Sequence, residues 1–254
     1  MLDINRQEME TEFVDSYQLF GLSEIPEIEP GADLSEIIVN ASEKYGGLRD
    51  KDILVVASKI VSKAENMYRS TDDILPSSEA IELARITGKP EKVCQIVIDE
   101  SQSYRTNGKA LIAVHKQGFE LSSAGVDRLN DELVILLPRD PDKSGERISV
   151  GILERIGVHV AVVISDSHGR ADRAGAGAVA LGIYGISPLR ITSTVQANGK
   201  VKYADETLCD MLAAGASVIM GQRGRGIPVV CVRGLSFQFD PTASVKSILH
   251  YAPR

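Results

Sequence analysis

The sequence predicts an α+β protein of mixed sheets and helices, because continuous buried-strand runs, capped amphipathic stretches and a hairpin signal follow one another in irregular order. Val160 to Ile164 and Asp52 to Ala57 are unbroken, mostly β-branched runs of the kind found in strands buried on both faces. Neither an internal repeat nor a low-complexity linker interrupts the chain. Residues 16–240 therefore read as a single unit, with a polar acidic extension over 1–15 and a tail over 241–254.

Taken in order, Leu22 to Ile28 carries Pro26 and alternating character, which predicts an extended segment. Asp33 and Glu36 stand in capping-box spacing before the stripe Leu34, Ile37, Ile38 and Ala41, and Gly46-Gly47 ends that helix. After the Asp52 to Ala57 strand come Ser58, Lys59, Ser62 and Lys63, whose two lysines share a face if the stretch is helical. They are either a solvated basic face or phosphate contacts. Ser77 or Ser78 caps a helix to Thr87, closed by Gly88 and Pro90. Val93 to Ile98, Ala110 to Val114 and Leu133 to Leu137 read as strands. Asp142 is expected to cap a helix with the face Ile148, Ile152, Leu153 and Ile156, stopped by Gly157. The next strand carries His159, a residue more easily placed as structural than as a ligand, and stops on Ser165-Asp166-Ser167. Gly175-Ala176-Gly177 allows close backbone packing. Asn198-Gly199 between strand-like runs marks a hairpin. A helix is expected from Asp205 to about Ser217, and a last strand spans Val229 to Val232.

Composition narrows the function. A net charge of -7 argues against a nucleic-acid or anionic-membrane partner, although a local basic pocket remains compatible with it. The three cysteines, Cys94, Cys209 and Cys231, are widely spaced and fit neither a disulfide framework nor a zinc site, as expected in a reducing cytoplasm. No Walker A sequence, dinucleotide fingerprint or nucleophile elbow is present, and no side chain declares itself catalytic. Three glycine-rich loops are predicted, centred on Gly125, Gly169 and Gly224. The first two carry Asp127 and Asp166, and the third carries Gln222 with Arg223 and Arg225. Such hard oxygen donors suit Mg²⁺ or Mn²⁺ bound with phosphate. Arg170 and Arg173 follow Asp166 closely as candidate phosphate or acceptor contacts. Read locally, Asp166 is either a metal ligand or a strand-end helix cap. His168 is the one histidine near this site.

The segments Leu22-Ser23-Glu24-Ile25-Pro26, Ala57-Ser58-Lys59-Ile60-Val61-Ser62-Lys63-Ala64-Glu65, Ala124-Gly125-Val126-Asp127-Arg128-Leu129-Asn130, Leu136 to Asp142, Ser165-Asp166-Ser167-His168-Gly169-Arg170 and Met220-Gly221-Gln222 occur in that order. Together they resemble the coenzyme F-420-0:L-glutamate ligase family, the gamma-glutamyl ligases of deazaflavin coenzyme biosynthesis. The resemblance runs from Phe20 to Gly234. It implies a cytoplasmic, homodimeric ligase with an α+β fold of two interleaved subdomains. Such a ligase uses GTP to join L-glutamate to a deazaflavin precursor through an acyl phosphate. It also implies two divalent cations, Mg²⁺ or Mn²⁺, with K⁺ as a further candidate. By position, Asp127, Asp166, Ser167 and Gln222 look like metal ligands. Leu22, Ser23, Glu24, Ile25, Ser58, Lys59, Lys63, Asn130, Met220, Gly221, Arg223, Gly224, Arg225, Gly226 and Ile227 look like nucleotide contacts.

Departures fall beside these positions. The family usually reads Asp-Thr-Phe-Gly-Arg-Pro-Trp-Arg where this chain has Asp166 to Arg173, so His168, Ala171 and Asp172 differ in kind. Ser123 and Leu129 also differ, and the hairpin lacks the family's Asp-Tyr-Arg-Gly. They concentrate in acceptor territory, which leaves two alternatives: a ligase of this fold with another carboxylate acceptor, or a non-catalytic nucleotide- or coenzyme-binding homologue.

Overall fold

The central sheet of the computed structural model has five strands, in the spatial order β1 (Gln18–Leu22), β13 (Val229–Arg233), β2 (Ile53–Ala57), β9 (Ala161–Gly169) and β10 (Ala176–Tyr184). The structure describes residues 14, 16–170, 173–222 and 224–250, so the predicted extension over 1–15 lies outside it save for residue 14. Strands β2 and β9 run parallel, and every other pairing in this sheet is antiparallel. Alternation splits the apolar runs between two cores. Ile53, Val55, Ala161, Val163, Val230 and Val232 face α6 (Leu208–Met220). Leu54, Val56, Val162, Ile164, Val229 and Cys231 face α1 (Leu34–Ser42), α2 (Ser58–Ala64) and α5 (Pro141–Ile156). Each buried Val, Leu or Ile contributes about 1.5–3 kcal/mol, which is why the paired centre of these strands is apolar on both faces.

A third apolar cluster lies in the middle of the chain, where α3 (Ser78–Thr87) and α4 (Glu91–Asp99) pack on β4 (Ser101–Asn107) and β5 (Ala110–His115), while β6 (Glu120–Ser122) pairs with β5 and turns Leu121 into the first core. Beside it, β3 (Tyr68–Ser70), β8 (Leu133–Ile135) and β7 (Asp127–Arg128) form a small antiparallel sheet. The hairpin β11 (Leu189–Val195) and β12 (Val201–Thr207) turns at Asn198-Gly199 and stands largely exposed. Among the described residues, no helix is long and apolar enough to cross a membrane.

Several elements differ from expectation. Val93 to Ile98 is helical, since Val93, Cys94, Ile96 and Val97 bury one face of α4 at helical spacing. The short apolar run hid that period. Strand β9 does not stop at Ser165 but continues through Asp166 to Gly169, paired with β10, so Gly169 ends a strand and centres no loop. His159 lies before β9 and is exposed. The helix after the hairpin starts at Leu208, because Asp205 to Thr207 still pair with β11. Asp140, with Pro141 behind it, is the N-cap of α5. Asp142 instead accepts from Ile183 N at 2.8 Å and Ser244 Oγ at 2.6 Å. Gly177 has open space at its Cβ position, so it makes no close packing.

Candidate functional site

Register places the predicted segments along one sheet edge. Leu22 lies opposite Val229, Val229 opposite Val56, and Val56 opposite Ile164. Just beyond this row the chain leaves the sheet as Ser23, Pro228 and Ser58, while β9 and β10 continue as a two-stranded ribbon. Ligands of open α/β sheets bind at such carboxyl ends of strands. Asp166 stands one residue past Ser165, the last β9 residue paired with β2.

There, buried Ser58 donates from Oγ to Asp166 Oδ1 at 3.0 Å. Lys59, the next residue of the same helical turn, places Nζ 2.6 Å from Asp127 Oδ2. Burial pushes the Asp166 carboxyl up to about 7, and the negative charge of Asp127 adds to that, while the Ser58 hydrogen bond and Lys59 pull the other way. Two carboxylates that sense each other, with one ammonium between them, make a centre that lacks positive charge.

Asp127 is aimed by an unusual turn. Ser123, Ala124 and Gly125 all adopt left-handed backbone, with φ of 51°, 54° and 70°. For Ser and Ala this costs about 1–2 kcal/mol each. A Cβ on Gly125 would lie 2.4 Å from Leu137 Cδ2, so only glycine fits there. Strained backbone of this kind gathers at functional sites. Strand β7 then holds Asp127 opposite Ile135.

The donor set near Asp166 is all oxygen, from two carboxylates and hydroxyls. Among the described residues no three His, Cys, Asp or Glu side chains cluster to hold a metal. Two carboxylates with open positions fit Mg²⁺ or Mn²⁺ shared with phosphate and water, and they do not fit a closed structural site.

The other predicted residues divide. Leu22 is buried in the sheet, and Ser23 Oγ lies 2.8 Å from the Tyr45 hydroxyl. Glu24 has φ of 71° and pairs with Lys44 at 2.6 Å, while Ile25 packs on the α1 side. Lys63 pairs with Glu27. The loop from Met220 to Ile227 returns beside Ser58, since Pro228 O accepts from Ala57 N at 2.8 Å and Ile227 packs on Gly21. Gly221 lies under Arg225, Gln222, Gly224 and Gly226 are exposed, and Arg223 lies outside the described residues. Ser167 is exposed, and strand alternation turns its side chain to the face opposite Asp166. Asn130 is exposed and accepts from Glu132 N at 2.9 Å, fixing its own turn. Ser58, Lys59, Asp127 and Asp166 are thus brought together; Ser167 reaches Asp166 only through its backbone N–H, and among the described residues no hydrogen bond or ion pair joins Gln222 or Asn130 to the four.

Further along β9, His168 is half-buried, with a buried Nδ1 that lacks a partner. Burial holds its imidazole below the usual value, while Glu120 and Asp210 nearby favour the cation. Ser122 Oγ accepts from Gly169 N and donates to Gly169 O, both at 3.2 Å, which ties β6 to the strand. Arg170 and Arg173 are exposed, and Ala171 and Asp172 lie outside the described residues.

Two side chains have a place here that the sequence did not announce. Glu65, at the end of α2, accepts from Ser144 Oγ at 2.5 Å and Arg139 N at 3.1 Å, and pairs with Arg147. It thereby fixes α2 against the start of α5. Glu27, the partner of Lys63, belongs to a loop with no periodicity to mark it; the one available signal was an acid close to a Pro in a predicted nucleotide segment.

The model of the F420-0:Gamma-glutamyl ligase family matches residues 23–234. The coenzyme F420:L-glutamate ligase of Methanothermobacter thermautotrophicus is 37% identical over 85% of this chain and 88% of its own length. That of Methanococcus maripaludis is 40% identical, covering 88% and 90%. That of Archaeoglobus fulgidus is 35% identical, covering 86% and 88%. With the family model matching residues 23–234, most of the sequence, the chain belongs to the F420-0:gamma-glutamyl ligase family.

Proposed function

We propose that this protein is a GTP- and divalent-cation-dependent ligase that joins L-glutamate by an amide bond to the coenzyme F420-0 precursor. The meeting of Ser58, Lys59, Asp127 and Asp166 at the edge bordered by Leu22–Ile25 and Met220–Ile227 carries this reading. The acceptor carboxylate oxygen attacks the γ-phosphorus of GTP, the bond to the β-phosphate oxygen breaks, and GDP leaves. The glutamate amine then attacks the acyl phosphate carbon, inorganic phosphate departs, and the amine gives up a proton.

Asp127 and Asp166 would hold one cation, with Ser167 and Gln222 reaching a second. Bound there, the ions supply positive charge to the phosphate oxygens. Lys59 and Lys63 bind phosphate oxygens as point charges. Ser58 keeps Asp166 oriented through its hydroxyl. Arg170 and Arg173, beyond Asp166, orient the acidic acceptor. We also propose a homodimer, supported by apolar surface left exposed at Val195 (69%) and Val201 (50%) of the hairpin and at Met211 and Val218 of α6.

The test is purified protein with GTP, Mn²⁺, L-glutamate and the precursor. GDP and phosphate should appear only with the acceptor present, and amide product only with glutamate. Acceptor-independent phosphate release would point to a hydrolase, and GTP binding without any turnover to a non-catalytic homologue.

A further inference from the structure

We propose that Lys59 is a place-holder for the cation: its ammonium sits on Asp127 until a divalent ion takes the carboxylate, and the displaced ammonium is then free for the nucleotide phosphates. Cation and nucleotide binding are thereby coupled through one side chain. The inference rests on Asp127 being a cation ligand, as proposed above.

Three observations support it. Lys59 Nζ lies 2.6 Å from Asp127 Oδ2, the distance at which an ammonium fills a carboxylate lone pair. A divalent ion bound there would compete for the same oxygen and repel the ammonium. Both side chains are about half exposed, 48% and 52%, so Lys59 can swing away without breaking the core. Its neighbour Ser58 is fixed by contrast, being buried and hydrogen-bonded to Asp166. One helical turn therefore presents an anchored hydroxyl to one carboxylate and a releasable charge to the other. Lys63 does not compete in this way, because its partner is Glu27 and not a proposed cation ligand.

Mn²⁺ titration followed by electron paramagnetic resonance, on nucleotide-free protein, tests this directly. Lys59→Met should bind Mn²⁺ about three- to ten-fold more tightly than wild type, having lost an exposed competing pair and a repulsive charge. Lys63→Met should match wild type. In calorimetry, the gain in GDP affinity on adding Mn²⁺ should shrink in Lys59→Met, as the reciprocity of linked binding requires. Unchanged or weaker Mn²⁺ binding by Lys59→Met overturns the inference. Asp127→Asn separates the two levels. If it abolishes Mn²⁺ binding while Lys59→Met behaves as wild type, the cation site stands and the place-holder fails. If it binds Mn²⁺ normally, both fail.

Discussion

Acidic side chains lie near both ends of strand β2, Asp52 just before it and Asp166 on the adjacent β9, with opposite fates. At its start, Asp52 is 1% exposed and fully supplied: Arg233 donates Nε at 2.8 Å and an Nη at 2.6 Å, and Arg49 N donates at 2.8 Å. Arg233 in turn donates to Gly47 O at 2.8 Å and stacks on Phe20 at 5.0 Å. At the other end, Asp166 has the Ser58 hydroxyl and the Ser167 backbone N–H, a neighbouring carboxylate, and Lys59 only at a distance through Asp127. One end satisfies its charge within the chain; the other leaves charge to be satisfied by something bound. A carboxylate short of counter-charge beside an open edge is the mark of a site, and a fully paired one is the mark of a joint.

The largest effect should come from breaking the satisfied end. Arg233→Ala leaves the buried Asp52 charge without its partner, and urea unfolding should register a loss of about 3–5 kcal/mol. If Arg233→Ala were nearly neutral, the contrast between the ends would collapse.

Next comes the opposite operation at the other end. Asp166 ionises near 7 in the folded protein against 3.8 unfolded. Between those pH values the cation-free folded state keeps a proton that the unfolded chain has lost, so stability falls as pH rises across the window. Asp166→Asn should abolish that fall, leaving the variant roughly 2–4 kcal/mol more stable than wild type at pH 8 without cations. The same substitution should abolish metal-dependent GTP binding. Equal pH profiles for the two proteins in matched urea titrations would show that Asp166 is not held short of charge.

Gly125→Ala probes the turn that aims Asp127. Left-handed backbone and the collision with Leu137 should together cost about 2–3 kcal/mol, read as a drop in thermal midpoint. The smallest change is expected at Glu27, whose carboxylate is 76% exposed. Glu27→Gln should shift stability by less than about 0.5 kcal/mol. By freeing Lys63, it should raise GDP affinity about two-fold in calorimetry, within the energy of one such pair.

Much of this was legible in the sequence where one local rule decided the structure. Asp33 and Ser77 accept from Glu36 N and Ala80 N as their spacing foretold, and Gly46 and Gly88 close their helices in left-handed backbone. Strand β2 and the Asn198-Gly199 hairpin follow from composition and turn chemistry alone. Legibility failed where pairing overrode local preference. Polar β4, with no apolar period to mark it, is a strand because β5 lies beside it. Residues Asp205 to Thr207 have helix-opening character but are held by β11. Within the site, Ser58, Lys59, Asp127 and Asp166 were named in advance. What joins them, the Ser58–Asp166 bond and the Lys59–Asp127 pair, spans 108 and 68 positions along the chain and has no trace in any window of sequence.

Strand β13 has one more consequence, for the order in which the molecule can be made. It lies between β1 and β2, yet among the described residues it is the last strand in chain order. A nascent chain emerging from the ribosome therefore holds β1 and β2 long before the strand that joins them exists. Pairings such as Gln18 with Arg233 close very long loops, which slows folding and leaves edges open meanwhile. The same late strand leads out of the Met220–Ile227 loop, so the edge beside Ser58 and Asp166 is completed only once β13 has been made. Truncation before Val229 should give a chain that is both insoluble and unable to bind nucleotide, a single lesion with two readouts.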